Sequence, residues 1–351
     1  MSEIETASPV GGLHQKLREK PGVDTHGVRP SHTSDWNDRI RKFSTLAGLM
    51  ALVIYGFAFV DGYGSGANIF GVSQQVAQIG IMSIGMTFVL INGEIDLSVG
   101  SIYGLSAVCC GLLIANNNVP WPVAVLMAIC VGGACGILNG IMTVGLRIPS
   151  FIVTLGTLSI FRGAALIISG GTPISLNSSD ANVRSFNFLG QGKIAGIIPM
   201  QFVVFVVIAL LGWLLLHRAR LGYETYAVGG SVNAAKLSGI NTNRIKITAF
   251  VITGATAGLA GALGIAFLSY VQGVTGTGME LTVISAVIIG GAALTGGSGT
   301  IWGTVVGVFF IGVLQNILNL QGISSFWQTV ATGAVIIIAV AADAALSKGK
   351  K

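Results

Sequence analysis

Ten largely apolar runs, most near the length needed to cross a bilayer, leave this chain few ways to fold. They are Ser44–Val60, Ile69–Ile91, Leu97–Ala115, Trp121–Leu146, Phe151–Gly170, Ile197–His217, Ile247–Val271, Leu281–Leu294, Ile301–Leu320 and Phe326–Leu346. A helix needs about 20 such residues to span the hydrocarbon core, and only helices or closed barrels satisfy their backbone there. Composition agrees. Charged residues make up 9% of the chain and hydrophobic ones 52%, whereas a soluble domain carries about 25% charged residues to cover itself. The expectation is an all-α, polytopic membrane bundle of about ten transmembrane helices. Leu281–Leu294 is short for a span, so a few runs could be broken or re-entrant.

Charge supplies the orientation. Alternating from a cytoplasmic N-terminus, the inside loops carry Arg39, Arg41, Lys42, Arg147, Arg218, Arg220, Lys236, Arg244, Lys246, Lys348, Lys350 and Lys351. The outside loops carry Arg184 and Lys193, beside Asp61, Asp180 and Glu280. This is the positive-inside asymmetry, and it predicts that both termini are cytoplasmic. It also accounts for the net charge of +6 without nucleic acid as a partner. Residues 1–43 read as a polar, poorly ordered cytoplasmic tail with no cleavable signal peptide, 44–346 as the membrane domain, and 347–351 as a basic cytoplasmic tail. Cys109, Cys110, Cys130 and Cys135 all fall inside apolar runs without a CxxC, as small packing residues rather than metal ligands or disulfides.

The largest inside loop is 218–246, with five Lys/Arg against one Glu. Ser231 is a ready N-cap and Gly239 a left-handed stop for a short helix, Val232–Ser238. Asn233, Ala234, Ala235, Lys236 and Leu237 would give it a small apolar surface with a polar rim, fit for docking into a groove on a soluble partner.

Few residues offer chemistry. Glu94 and Asp96 stand at the junction of two spans; Asp96 reads either as an N-cap for the next helix or, with Glu94, as part of a proton or cation site. Arg162 lies in the middle of the fifth span, where an arginine costs at least about 2.5 kcal/mol. It must line a polar pathway or pair with a carboxylate. Gly290–Gly299 looks like a phosphate loop but lacks the Lys-Ser/Thr that such a loop needs. Gly296, Gly297 and Gly299 therefore read as turn residues, and Gly100 likewise. Gly100-Ser101-Ile102-Tyr103-Gly104 is echoed by Gly299-Thr300-Ile301-Trp302-Gly303; both copies run in the same direction, and either an old duplication or chance in a Gly-rich chain would leave such a match. Gln74 with Gln78, and Gln315 with Asn319, form i,i+4 pairs of neutral hydrogen-bonding groups suited either to a hydroxyl-rich solute or to interhelical bonds.

Several segments together resemble the permease subunits of bacterial sugar ABC importers, of the ribose/xylose/galactose type. They are Gly93–Ser101, Pro149–Thr157, Phe161–Gly163, Ala227–Ile240, Gly290–Gly303 and Ser324–Gln328, and the likeness covers about residues 70 to 345. Glu94 departs from the pattern, which has Gly there. The resemblance implies a multi-pass subunit of the bacterial cytoplasmic (inner) membrane that translocates a monosaccharide or related polyol. A second permease chain, ABC ATPase subunits holding ATP and Mg, and a periplasmic sugar-binding protein are the implied partners. This chain would bind no cofactor or metal and catalyse nothing itself. Phe151, Thr154, Arg162, Gln315 and Asn319 are expected along the substrate path, with Ser231–Gly239 at the ATPase. A secondary transporter or channel for a small polar solute is the competing reading.

Overall fold

The computed structural model describes residues 32–116 and 119–348. The expected tails lie outside this range over residues 1–31 and 349–351. The chain divides into two units after Asp38; of the first only 32–38 is described, as helix, and all the packing below belongs to Arg39–Lys351.

The helices are α1 (His32–Phe59), α2 (Gly66–Ile91), α3 (Val99–Ala115), α4 (Trp121–Gly145), α5 (Ser150–Ile168), α6 (Ala181–Gln191), α7 (Met200–His217), α8 (Arg220–Gly230), α9 (Val232–Leu237), α10 (Thr242–Leu268), α11 (Met279–Ile289), α12 (Ile301–Leu320) and α13 (Ser325–Lys348). Six of them, α2, α4, α5, α7, α10 and α12, are long and apolar enough to cross a membrane. Every apolar run of the sequence falls on a helix. Four elements differ from expectation. Helix α1 begins at His32, so 32–43 is helix rather than irregular tail. Helix α11 ends at Ile289 because Gly290 and Gly291 follow, the latter at φ +97°. The segments 181–191 and 220–230, read as loop, form α6 and α8. Strand structure among the described residues is confined to two short antiparallel pairs, Ile174–Ser175 with Tyr270–Val271 and Lys193–Ile194 with Ile198–Pro199.

Helices α2 and α10 lie at the centre and α4, α5 and α7 at the periphery. The central pair is mostly buried, whereas the outer helices leave Leu126, Ile160 and Leu210 more than half exposed. Apolar side chains facing outward are stable only in contact with lipid or another chain. Helix α10 packs on α2, α3 and α4, and against α4 it does so through glycine. A Cβ on Gly132, Gly136 or Gly258 would overlap a carbonyl of the facing helix, so the backbones approach as closely as small residues permit. The bundle has two ends: one carries α6 near the start of α2, where Gln74 bonds to Gly190, and the other carries α8 and α9 near the end of α2, where Gly229 meets Ile91.

Candidate functional site

In the half of the bundle nearer α6, neutral amides and hydroxyls line a cavity of about 340 Å³, within the ~300–1,000 Å³ range of small-molecule sites. Helix α2 contributes Gln75 and Gln78, α11 Thr282, α12 Gln315, α13 Gln328, and the segment before α11 Thr277. None of the described side chains that line it is charged. Gln75 Nε2 donates to Gln315 Oε1 at 2.9 Å. A second cavity of about 380 Å³ shares Gln75 and Gln78 and adds Asn68, Asn316 and Asn319. There Asn68 and Asn316 exchange hydrogen bonds of 3.1 and 2.6 Å. A carboxamide both donates and accepts, so such a wall can replace the water around a molecule studded with hydroxyls.

Of the residues expected on a solute path, Gln315 lines the first cavity and Asn319 the second. Phe151 and Thr154 line neither. Thr154 is wholly buried, and its hydroxyl lies 3.2 Å from the Ile95 carbonyl and 2.8 Å from that of Ser150. With Ser150 Oγ accepting from the Ile95 amide at 3.0 Å, it fastens the start of α5 to the α2–α3 turn. Phe151 points outward, half exposed. Among the described residues no carboxylate lies within ion-pair distance of Arg162, although the Glu280 charge is near enough to act on it; its Nη1 donates to the carbonyls of Val274 (2.6 Å) and Thr275 (3.1 Å) and to the Thr277 hydroxyl (2.6 Å). The Gln74–Gln78 face is split. Gln74 is buried and spends its amide on the Gly190 carbonyl at 2.7 Å, leaving the neighbouring Gln75 to the cavities. Asn68, Gln75 and Gln78, at spacings of seven and three residues on α2, were the available signal for this wall.

At the other end, α9 forms as its caps dictate. Ser231 Oγ accepts from the Ala234 amide at 3.3 Å and Gly239 sits at φ +79°. Asn233, Ala234, Lys236 and Leu237 are exposed, Leu237 to 91%. Ala235 is not: it turns inward onto Val228 and Ile245 in a small apolar cluster beneath α8 and α9. Its place in a docking surface is thereby corrected, because a six-residue helix lying on the protein must commit one face inward.

Helix α8 meets the ends of two other elements. The Gly297 amide donates to the Ile91 carbonyl at 2.8 Å, and a Cβ on Gly229 would overlap that same carbonyl and stand 2.6 Å from the Gly297 nitrogen. Tyr226 donates its hydroxyl to the Gly299 carbonyl at 2.7 Å; burial raises its phenol above the ordinary value. Gly296 and Gly297 adopt φ +84° and +75°. Gly100 is not a turn residue: it lies inside the first turn of α3, facing Gly276 and Glu280.

The α2–α3 turn holds both early carboxylates. Glu94 forms an ion pair with Lys246 near the start of α10. Asp96 is completely buried, and its Oδ1 accepts from the amide (2.8 Å) and hydroxyl (2.6 Å) of Ser98, which in turn accepts from Asn139 Nδ2 at 2.8 Å. Ser98, not Asp96, is the N-cap residue of α3. Asp96 braces the turn one step earlier. Burial pushes its carboxyl up, against the opposing effect of the Ser98 and Asn139 bonds. The two acids are thus committed separately, one to Lys246 and one to Ser98.

Residues 68–340 match the family described as branched-chain amino acid transport system / permease component. The ribose import permease protein of Bacillus subtilis (strain 168) is 38% identical over 306 residues, 87% of this chain and 93% of that one. The L-arabinose ABC transporter permease protein of Azospirillum brasilense is 39% identical over 280 residues, 79% of each chain. The D-allose transport system permease protein of Escherichia coli (strain K12) is 35% identical over 311 residues, 89% of this chain and 93% of that one. The chain matches no solved structure.

Proposed function

Because the chain belongs to the branched-chain amino acid transport system / permease component family, we propose that it is the membrane-spanning permease subunit of an ABC importer for a monosaccharide or related polyol. The observation that carries this is the charge-free cavity lined by Gln75, Gln78, Gln315 and Gln328. A neutral, hydroxyl-rich solute needs neutral donors and acceptors at that spot. An amino acid would bring a carboxylate and an ammonium that nothing in the lining could neutralise. The names of the sugar-importing relatives point the same way.

In this reading ten helices cross the bacterial inner membrane with both termini in the cytoplasm. The α6 end faces the periplasm, where a sugar-binding protein delivers the substrate, and the α8–α9 end faces ATPase subunits that carry ATP and Mg. A second permease chain packs on the exposed apolar face of α5, around Phe151, Leu155 and Ile160. The residues exposed on α9 dock into the ATPase. The Gly229 contact with Ile91 and Gly297 passes its motion to the ends of α2 and the α11–α12 turn. Uptake into ATP-loaded membrane vesicles tests this: vanadate should abolish sugar accumulation and a protonophore should leave it intact. The opposite pattern would make the chain a secondary transporter.

A further inference from the structure

Between α10 and α11 the chain does something a simple loop would not. After Tyr270–Val271 pairs with Ile174–Ser175 at the α6 end, it turns back along α3. Gly111, Gly104 and Gly100 mark the route: the first faces Ile174 and Val271, the second the Thr275 carbonyl, the third the Gly276 carbonyl and Glu280. Those positions span eleven residues of α3, or about 16 Å at 1.5 Å per residue, roughly half of the ~30 Å hydrocarbon thickness. Gly273 lies against Leu166 of α5 at the same time. Helix α11 therefore starts deep inside the bundle, and Glu280 sits in its first turn rather than in a surface loop.

Non-helical backbone at that depth leaves carbonyls without partners, and these must be satisfied from within the protein. Arg162 does this by bonding to Val274 and Thr275. The same guanidinium nitrogen holds the Thr277 hydroxyl, which also donates to the Val274 carbonyl at 2.6 Å. Thr277 and Gly278 are exposed and line the first cavity together with Gln75 and Gln315. The cost of an arginine within a span is met by ordering one wall of the cavity.

We propose that Gln272–Gly278 is a re-entrant segment forming a wall of the substrate cavity, and that Arg162 is its positioning residue, holding the Thr277 hydroxyl toward the transported sugar. This rests on the cavity being the sugar's path. In ATP-loaded vesicles carrying the full importer, Arg162→Ala and Thr277→Val should each lower initial uptake about tenfold, the scale of one hydrogen bond to a charged group. The double variant should fall little further than either alone, since the two act through one contact. Membrane level and co-purification of the ATPase should not change, Thr277→Ser should behave as wild type, and Arg162→Lys should recover part of the loss. Should Arg162→Ala fail to reach the membrane, Thr277→Val, which removes one hydroxyl, decides alone. Normal uptake in Thr277→Val, or full additivity in the double variant, overturns the proposal. If wild-type vesicles take up no sugar with ATP, it is the proposed function that fails instead.

Discussion

Gly229 and Gly230 are neighbours at the end of α8, yet their surroundings differ completely. A Cβ on Gly229 collides with the Ile91 carbonyl, while one on Gly230 meets nothing within 4 Å. Gly229→Ala should therefore push α8 off the α2 and α11–α12 ends, costing about 1–3 kcal/mol and uncoupling ATP hydrolysis from uptake. Gly230→Ala should be close to silent. Thermal unfolding in detergent and coupled transport, measured on both, check the contrast. The Glu94–Lys246 pair is a second case in which one residue binds distant segments. Its side chains are 12% and 20% exposed, so its worth lies between the ~1 kcal/mol of a surface pair and the ~3 kcal/mol lost on breaking a buried one. A double-mutant cycle of Glu94→Gln and Lys246→Met should return a coupling energy in that interval. Such contacts were not legible in the sequence. Gly229 is one glycine among 51, and Glu94 is 152 residues from its partner.

Elements were read more easily than contacts, because hydropathy and caps are local. Ser231 and Gly239 bound α9 in the sequence as they do in the structure, while the burial of Ala235 depends on Val228 and Ile245, which no local rule brings beneath it. That distinction makes a prediction. Leu237→Asp adds a charge to a side chain that is 91% exposed; it should leave the fold intact and weaken ATPase association about tenfold or more, as expected for a desolvated anchor. Ala235→Glu should instead disrupt the cluster under α9 and lower thermal stability. Co-purification of the ATPase, read beside unfolding temperature, separates the two outcomes. Helix α11 shows the opposite limit of legibility. Its apolar run was visible, but the segment leading into it reads as polar loop, and only the glycines of α3 and the reach of Arg162 reveal that it descends between helices.

For the whole molecule, alternating charge predicts the orientation, and the structure sets α6 and α8–α9 at opposite ends of the bundle. With the four native cysteines replaced by alanine, Asn116→Cys should react with an impermeant thiol reagent only from the periplasmic side and Ser231→Cys only from the cytoplasmic side. Reversal at either position would invert the assignment of the cavity to the periplasmic half. The central claim is that a sugar crosses through the neutral cavity between α2 and α12. The most direct measurement is the initial rate of ATP-driven monosaccharide uptake by Gln75→Leu/Gln315→Leu, which keeps side-chain volume and removes the amides. Losing hydrogen bonds worth about 1 kcal/mol each should lower that rate at least about tenfold, with insertion and ATPase binding unchanged. Uptake at the wild-type rate would contradict the account.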